Sequence, residues 1–333
     1  MSLVPTLYRS SDSGAPALTG QAGSLRDLLR AVLVTGYGSG GSARAAAGWT
    51  ETFTGTNKAV FRNNPVTGTG GSLRVDDSST VSGSNARYAL LRAYEAMTDV
   101  DTGTGPAPTA AQVTNGILTP KSTTADATSR AWVAIANERW CYLFVDLGNT
   151  SSGWVGVASL PLFFGDIDTR RAVDHYQFML LGTDLTSYSG GGNLSGGMFT
   201  STPAATTPSG KLYLLRNYLQ ASGAKSAGIC ALSDGSASGA IGNGGTYPDP
   251  VSGGLAIQRI MVAESARVIR GYMPGVYGTI NGQPFTDMSV RTDIEGIPPG
   301  TTILAKTFSH ALVTPLTYPN HAGQLLFDLT NEG

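Results

Sequence analysis

Pairs of aspartates are the residues of this sequence whose type and spacing best suit chemistry. They lie at Asp76–Asp77, Asp99–Asp101 and Asp166–Asp168. Two neighbouring carboxylates can cleave a glycosidic bond as acid and nucleophile. The second pair could also bind calcium through oxygen ligands, although its segment lacks the full loop and the terminal Glu of such sites. Aspartate beside glycine or threonine is common in turns, so turn chemistry explains these pairs without catalysis.

Asp166 and Asp168 form the strongest of these pairs, because FFGDID follows an apolar strand. Strand alternation would place both carboxylates on one face, where one of them could have a raised pKa. Such a pair could serve a glycosidase, a metal ion or no chemistry at all. We predict that this pair has no chemical role. We also predict that the chain has no catalytic, cofactor-binding or metal-binding residues and is not an enzyme.

The histidines give no support to a metal site or a nucleophilic triad. His175, His310 and His321 are far apart in the sequence, and no zinc-binding or serine-nucleophile motif surrounds them. His175 follows Asp174 directly, which indicates a structural pair at the start of a strand.

Two further motifs are better explained by structure than by chemistry. Gly36, Gly38 and Gly41 fit the dinucleotide-binding pattern, but a helix-like run precedes them and a polar loop follows, which is the wrong context. Cys141 lies in an apolar run and is expected to be a buried small hydrophobe. Whether it pairs with Cys230 does not follow from the sequence.

The four tryptophans lie at or near strand-like runs, at Trp49, Trp132, Trp140 and Trp154. We expect them to pack in the core. The alternative is an exposed aromatic platform for a sugar or a partner protein.

Composition narrows the class of protein. The chain has 333 residues, of which 44 are glycine, 41% are hydrophobic and 14% are charged, and its net charge is -1. The apolar content excludes a disordered chain, and the glycines have no three-residue period as in collagen. No basic stripe is present, so we expect no direct nucleic-acid binding. No long apolar run and no secretory signal are present, so we expect no membrane span and no export signal.

The elements that must position these residues are mainly strands. One helix is predicted over Leu25–Val34, capped by Ser24 and ended by Gly36, with an apolar face at helical spacing. Hairpin patterns occur at 132–145, 212–232 and 256–269, where two apolar runs flank a short polar break. We expect these hairpins to form one antiparallel β-core on which the helix packs.

The predicted fold is therefore mainly β, an antiparallel sandwich-like or barrel-like core with one N-terminal α-helix and a small C-terminal β-domain. We divide the chain into an N-terminal α+β segment (1–125), the β-core (126–270) and the C-terminal β-domain (271–333). Two long segments rich in glycine and serine, at 187–210 and 234–254, are expected at contacts between subunits or with partners.

Several segments resemble those of a group of tailed-bacteriophage virion structural proteins. They are WVAIANERWCYLFVDLG, LPLFFGDIDT, RVIRGYMPGVYG and LFDLT, together with the opening YRSSDSGAPALTGQAGSLRDLLRAVLVTGYG and AGWTETFTGTNKAVFR. The resemblance spans most of the chain.

This resemblance implies a protein made in the host cytoplasm and assembled into the virion, most simply in the tail or baseplate, where it joins other virion proteins. A homo-oligomer around a symmetry axis is expected, and no cofactor is implied. The alternatives are a fibre or spike module that binds a host glycan or receptor, a head decoration protein, and a polysaccharide depolymerase. Neighbouring genes would separate these alternatives.

Overall fold

The computed structural model describes residues 3–78, 87–147, 159–170, 174–182, 211–221, 229–231, 248–255, 257–263, 268–279, 285–309 and 322–330. These residues are mostly antiparallel β-structure with one α-helix, which confirms the predicted fold class. The strands of this described part of the chain form open sheets and no closed barrel.

In the described ranges the elements are a short helical unit and twenty strands. The first part holds β1 (Thr6–Arg9), α1 (Ser24–Arg30) with a π-helical turn (Ala31–Thr35) and a 3-10 turn (Gly40–Ser42), β2 (Thr50–Gly55), β3 (Lys58–Arg62), β4 (Ser72–Asp76), β5 (Tyr88–Tyr94), β6 (Ala96–Met97), β7 (Gly103–Thr104) and β8 (Ile117–Pro120). The middle holds β9 (Trp132–Ala136), β10 (Trp140–Asp146), β11 (Ser159–Asp166), β12 (Asp168–Thr169), β13 (Phe178–Gly182), β14 (Lys211–Leu214) and β15 (Ile229–Ala231). The last part holds β16 (Ile257–Ala263), β17 (Ile269–Thr279), β18 (Val290–Arg291), β19 (Ile303–Ser309) and β20 (Ala322–Asp328).

These strands form three main sheets, and every pair of them is antiparallel. The central sheet has the order β1-β9-β10-β11-β13-β14, and the N-terminal sheet has the order β2-β3-β4-β5-β8. The C-terminal sheet has the order β15-β16-β17-β20-β19-β18, with β12 paired to β17. A separate hairpin, β6–β7, lies on the outer face of the N-terminal sheet, where Val100 accepts a hydrogen bond from Arg74.

The central sheet is buried on both faces. In β9, Trp132 and Ala134 pack into one cluster with the helix and the N-terminal sheet. Their neighbours Val133 and Ile135 pack into a second cluster with the C-terminal sheet. Sheets buried on both sides need near-continuous apolar strands, which is why these runs show little alternation. The molecule is therefore a stack of three β-layers with the helix beside the central one.

The predicted helix is confirmed, and its apolar face is fully buried. The residues of that face are Leu25, Leu28, Leu29, Val32 and Leu33. Gly36 ends the helical segment with a φ of 71°, in the left-handed region that glycine adopts without strain.

The predicted N-cap is wrong, because the cap comes from a distant residue. The Ser24 hydroxyl donates to two backbone carbonyls outside the helix. The carboxylate of Asp77 instead accepts the backbone N–H groups of Leu25 and Arg26, at 2.7 and 3.3 Å. A negative charge at this end also complements the helix dipole.

Two of the three predicted hairpins form. β9 pairs with β10, and β16 pairs with β17. The hairpin predicted at 212–232 is wrong, because β14 joins β13 in the central sheet whereas β15 joins β16 in the C-terminal sheet. An apolar run indicates that a strand is buried, but it does not indicate which sheet the strand joins.

The predicted boundary between residues 270 and 271 falls inside β17, and β17 pairs with strands from both sides of it. The division into three segments remains a prediction. The segment at 187–210 lies outside the described residues, as does 234–247 of the second loop.

Candidate functional site

The Asp166–Asp168 pair does not form a shared acidic face. Asp166 ends β11 in the central sheet, where it is buried and accepts hydrogen bonds from the Thr69 backbone N–H at 2.8 Å and from the Thr69 hydroxyl at 2.6 Å. Burial raises its pKa. Asp168 begins β12 in the C-terminal sheet and forms an ion pair with Arg259 at 2.8 Å. The alternation of side chains along one strand does not continue from Asp166 to Asp168, because the chain passes from the central sheet to the C-terminal sheet between them.

The acidic pair Asp76–Asp77 is part of the structural framework. Asp77 caps the helix and forms a fully buried ion pair with Lys121. Asp76 forms an ion pair with Arg74 at 3.0 Å. Arg74 lies two residues before Asp76 on the same strand, whereas the neighbouring sequence gave no sign of Lys121 as the partner of Asp77.

In the Asp99–Asp101 segment, Asp101 forms ion pairs with lysine and arginine side chains of the same chain. The Asp101 carboxylate contacts the Lys58 ammonium at 3.0 Å and the Arg74 guanidinium. Asp99 accepts the Val100 backbone N–H at 2.7 Å, which is turn chemistry. Among the residues that the structure describes, no three His, Cys, Asp or Glu side chains lie together as a metal site would require.

The remaining sequence motifs are structural where they are described. Asp174 is buried and forms an ion pair with Arg270 at 2.7 Å, whereas His175 is exposed, so the predicted pair of Asp174 with His175 does not form. His310 and His321 lie outside the described residues. Cys141 is buried and free, and burial raises the pKa of its thiol.

The glycine pattern and the tryptophans give no ligand site in the described chain. The glycines follow the helical segment, and their loop closes through a bridge between Tyr37 and Arg44. Trp49, Trp132 and Trp140 are buried, which confirms core packing for these three and removes them as an aromatic platform. Trp154 and the side chain of Cys230 lie outside the described residues.

A surface that sequence reasoning missed lies on the outer face of the N-terminal sheet. It centres on a pocket of about 290 Å³ between the sheet and the β6–β7 hairpin. The lining residues are Thr52, Phe53, Arg62, Ser72, Glu95, Ala96 and Met97. Phe53, Ala96 and Met97 make part of the lining apolar, whereas Arg62 and Glu95 supply one charge of each sign.

A hydrogen-bonded turn that is joined to this pocket by an ion pair exposes apolar side chains. Leu219 is 81% exposed and Tyr218 is 38% exposed, in the turn that follows β14. Asn217 closes the turn, because its backbone oxygen accepts the Gln220 N–H at 2.8 Å and its side-chain oxygen accepts the Ala221 N–H at 3.0 Å. The two neighbouring side chains form a small exposed apolar patch, and larger patches of this kind mark contact sites.

Arg216 connects that turn to the pocket. Its guanidinium donates two hydrogen bonds to the carboxylate of Glu95, at 2.6 and 2.7 Å, and a third to the Gln220 carbonyl at 3.2 Å. It also stacks over the ring of Tyr176, 3.8 Å from the centroid. Bidentate contacts of this kind fix orientation, so the turn keeps its position relative to the pocket.

A second turn flanks the pocket on the side of β3 and β4. Arg62 donates to the Gly70 carbonyl at 3.0 Å, which joins the pocket lining to the β3–β4 loop. In that loop Val66 is 90% exposed, and Asn64 holds it by accepting its backbone N–H at 2.9 Å. We call the pocket, the Leu219 turn and the Val66 turn together the contact face.

The Val66 turn has a counterpart in the C-terminal part of the chain. The sequences NPVTG (64–68) and DPVSG (249–253) share the pattern of a side-chain oxygen, proline and valine. In the second turn Asp249 accepts the Val251 N–H at 3.0 Å, and Val251 is 94% exposed. Proline after Asn or Asp marks a turn, which was the sequence signal available for these positions.

No protein-family model matches this chain, and no curated protein is significantly similar to it. The helices of the described residues are all too short or too polar to cross a membrane.

Proposed function

We propose that this protein is a structural component of a tailed-phage virion, in the tail or baseplate apparatus, and that it joins other virion proteins through the contact face. The observation that carries the proposal is the braced turn that holds Leu219 and Tyr218 in solvent beside a partly apolar pocket. A large aliphatic side chain fixed at this exposure gains stability when a partner covers it. The segments that resemble virion proteins supply the class of partner.

The framework residues support a role in assembly. The carboxylates that could have served chemistry at Asp77, Asp101 and Asp168 are each bound to a cation of the same chain. The first pair lies at the N-terminal sheet, the second joins the β6–β7 hairpin to that sheet, and the third lies within the C-terminal sheet. Each pair fixes local geometry, and a particle component needs a surface whose geometry stays fixed. The glycan-binding alternative loses its aromatic platform at the three described tryptophans, since all three are buried.

The direct test is to determine where the chain lies in purified particles. Purified particles should contain the protein in a fixed copy number, and an averaged image should place it in the tail or baseplate. An image that places it on the head surface would favour decoration, and its absence from purified particles would overturn the proposal. Binding of isolated protein to host surface glycan, with no virion partner, would favour the fibre or spike alternative.

A catalytic role is tested most sharply at Asp166, because it is buried and its pKa is raised. We expect purified protein to release no reducing ends from host surface polysaccharide. The matched variants are Asp166→Asn and Asp168→Asn, checked for folding by their melting temperatures. Release that disappears only in Asp166→Asn would show an enzyme and would contradict this expectation.

A further inference from the structure

We infer that Lys121 and Asp77 become joined after folding by an amide bond between the lysine Nζ and the aspartate Cγ, with release of one water molecule. The inference does not rest on the proposed function, because it concerns a covalent bond inside the chain. It is carried by the contacts that the two side chains make with each other and with the start of the helix.

Both side chains of the pair are removed from water. Each has an exposed fraction of 0%, and Nζ of Lys121 is in direct hydrogen-bonded contact with Oδ1 of Asp77. Burial lowers the pKa of Lys121 and raises that of Asp77 to about 6, since both charged forms lose their hydration. The neutral amine and the neutral carboxylic acid are the forms that condense, and both are more accessible here than in water.

The other contacts of the lysine nitrogen direct its reactive electron pair at the carboxyl group. A lysine ammonium has three N–H donors. Two of them reach the Gln21 carbonyl at 2.6 Å and the Ser24 hydroxyl at 3.3 Å. The third reaches Oδ1 of Asp77. When this third proton moves to Oδ1, the lone pair that replaces it on Nζ points towards the carboxyl group.

The second carboxyl oxygen is placed to accept the negative charge of a tetrahedral intermediate. Oδ2 of Asp77 accepts the backbone N–H groups of Leu25 and Arg26, at 2.7 and 3.3 Å. Two backbone N–H groups on one oxygen stabilise the oxyanion that forms in acyl transfer. The two oxygens therefore have different roles, because Oδ1 departs as water and Oδ2 becomes the oxygen of the amide.

The reaction needs no reagent from outside the pair. The ammonium first transfers a proton to Oδ1, which leaves a neutral amine and a neutral carboxylic acid. The Nζ electron pair then forms the bond to Cγ, and the π electrons of the C=O bond move to Oδ2. Nζ gives a second proton to the Oδ1 hydroxyl. The bond between Cγ and Oδ1 breaks, water leaves with that electron pair, and the C=O bond forms again at Oδ2.

The fold supplies what the same two groups lack in free solution. Water stabilises a separate ammonium and carboxylate, whereas the buried pair has lost that hydration, and a site that excludes water slows the reverse reaction. Reacting groups held in contact gain an effective molarity of about 10⁵–10⁸ M. The ion pair is still the main form at neutral pH, so the bond should accumulate slowly. Chain that has not reacted keeps the ion pair and its contribution to stability.

The bond would connect two strands that are not neighbours. Asp77 directly follows β4 and Lys121 directly follows β8, and β5 lies between these strands in the N-terminal sheet. Since β4 and β8 both pair antiparallel to β5, the two residues lie at the same end of the sheet. They are 44 positions apart in the chain, so the bond would also restrict the unfolded chain as any internal cross-link does.

Intact mass spectrometry of the full chain, denatured after incubation, tests the bond directly. Folded wild type should progressively lose the mass of one water molecule, and peptide mapping should find the peptide of Lys121 linked to that of Asp77. Lys121→Met and Asp77→Ala should keep their full mass. Lys306→Met is the matched control, because Lys306 is also fully buried and paired with an aspartate, Asp287. This control should lose water as the wild type does.

A second measurement does not depend on the folding of any variant. Wild-type chain incubated in guanidinium should lose no water, because the unfolded chain no longer holds the two groups in contact. Loss of water from the unfolded chain at the same rate, or a loss that maps to another aspartate, would contradict the inference. An unchanged mass of the folded wild type after weeks of incubation would overturn it.

Discussion

Replacing Lys121 with methionine is expected to lower the free energy of unfolding by about 3–5 kcal/mol at neutral pH. Both side chains of the Lys121–Asp77 pair are fully buried. Removing the cation leaves a carboxylate in a dry environment without its counter-charge, which costs much more than the net value of the pair. The measurement is equilibrium unfolding in urea or guanidinium. The dependence of the unfolding free energy on denaturant concentration should be the same in the variant as in the wild type, which checks that the folded state is unchanged.

The position of Asp77 explains why the effect should be so large. The same carboxylate accepts the N–H groups of Leu25 and Arg26 at the start of the helix, and the backbone oxygen of Asp77 accepts the Gly23 N–H at 2.9 Å. The Lys121 ammonium also donates to the Gln21 carbonyl at 2.6 Å. One ion pair therefore fixes the helix entry, β4 and the segment after β8, and its loss affects all three.

A surface ion pair provides the control for this prediction. Lys58 contacts Asp101, whose side chain is 49% exposed, at 3.0 Å and Asp76 at 3.4 Å. Asp76 keeps its ion pair with Arg74 when Lys58 is removed. Lys58→Met should therefore cost about 1 kcal/mol or less. The double variant Asp77→Asn with Lys121→Met should recover part of the loss, since no buried charge remains. Equal effects of Lys121→Met and Lys58→Met would show that burial does not determine the cost.

The same pair predicts a pH dependence of opposite sign to ordinary acid denaturation. Burial raises the pKa of Asp77 to about 6, although Lys121 acts to lower it. The unfolded value is about 3.9, so the folded state binds this proton more tightly. The resulting stabilisation is complete below about pH 4 and is lost as the pH rises through 6. The wild-type stability minus that of Asp77→Asn should fall by about 3 kcal/mol over this range.

The helix and the central strands could be predicted from sequence because their signals are local. The spacing of Leu25, Leu28 and Leu29 defines a helix face, and the apolar runs around Trp132 and Trp140 define buried strands. The helix cap could not be predicted, because Asp77 lies 52 residues from Leu25 in the chain. Capping patterns in a sequence involve neighbouring residues only, so they point to Ser24 and not to Asp77.

The contact face was missed for a similar reason. Its pocket takes residues from β2, β3, β4 and the β5–β6 region, so no single segment carries a recognisable pattern. Glu95 and Arg216 are 121 residues apart in the chain, and the run around Arg216 was assigned to a hairpin. The Asp166–Asp168 prediction failed because alternation was extended across a residue at which the chain moves to another sheet.

Replacing Arg270 with methionine should also cost about 3–5 kcal/mol of unfolding free energy, for the same physical reason. The Arg270 and Asp174 side chains are both fully buried, with 2.7 Å between nitrogen and oxygen. The matched control is Arg259→Met, which removes a cation that is 41% exposed and should cost about 1 kcal/mol or less. Equal losses in the two variants would contradict the prediction.

Arg270 also supports the contact face, and this gives its variant a second effect. Its guanidinium donates to the backbone carbonyl of Arg216 at 2.8 Å, directly before the turn that presents Leu219. Asp174 accepts the Tyr176 N–H at 3.0 Å, and the Tyr176 ring lies beneath the Arg216 guanidinium. Loss of Arg270 therefore removes support from both sides of Arg216, and hydrogen exchange in residues 216–221 should become faster under native conditions. Lys121→Met, which should be equally destabilising but lies at the helix entry, should leave the local hydrogen exchange of residues 216–221 unchanged.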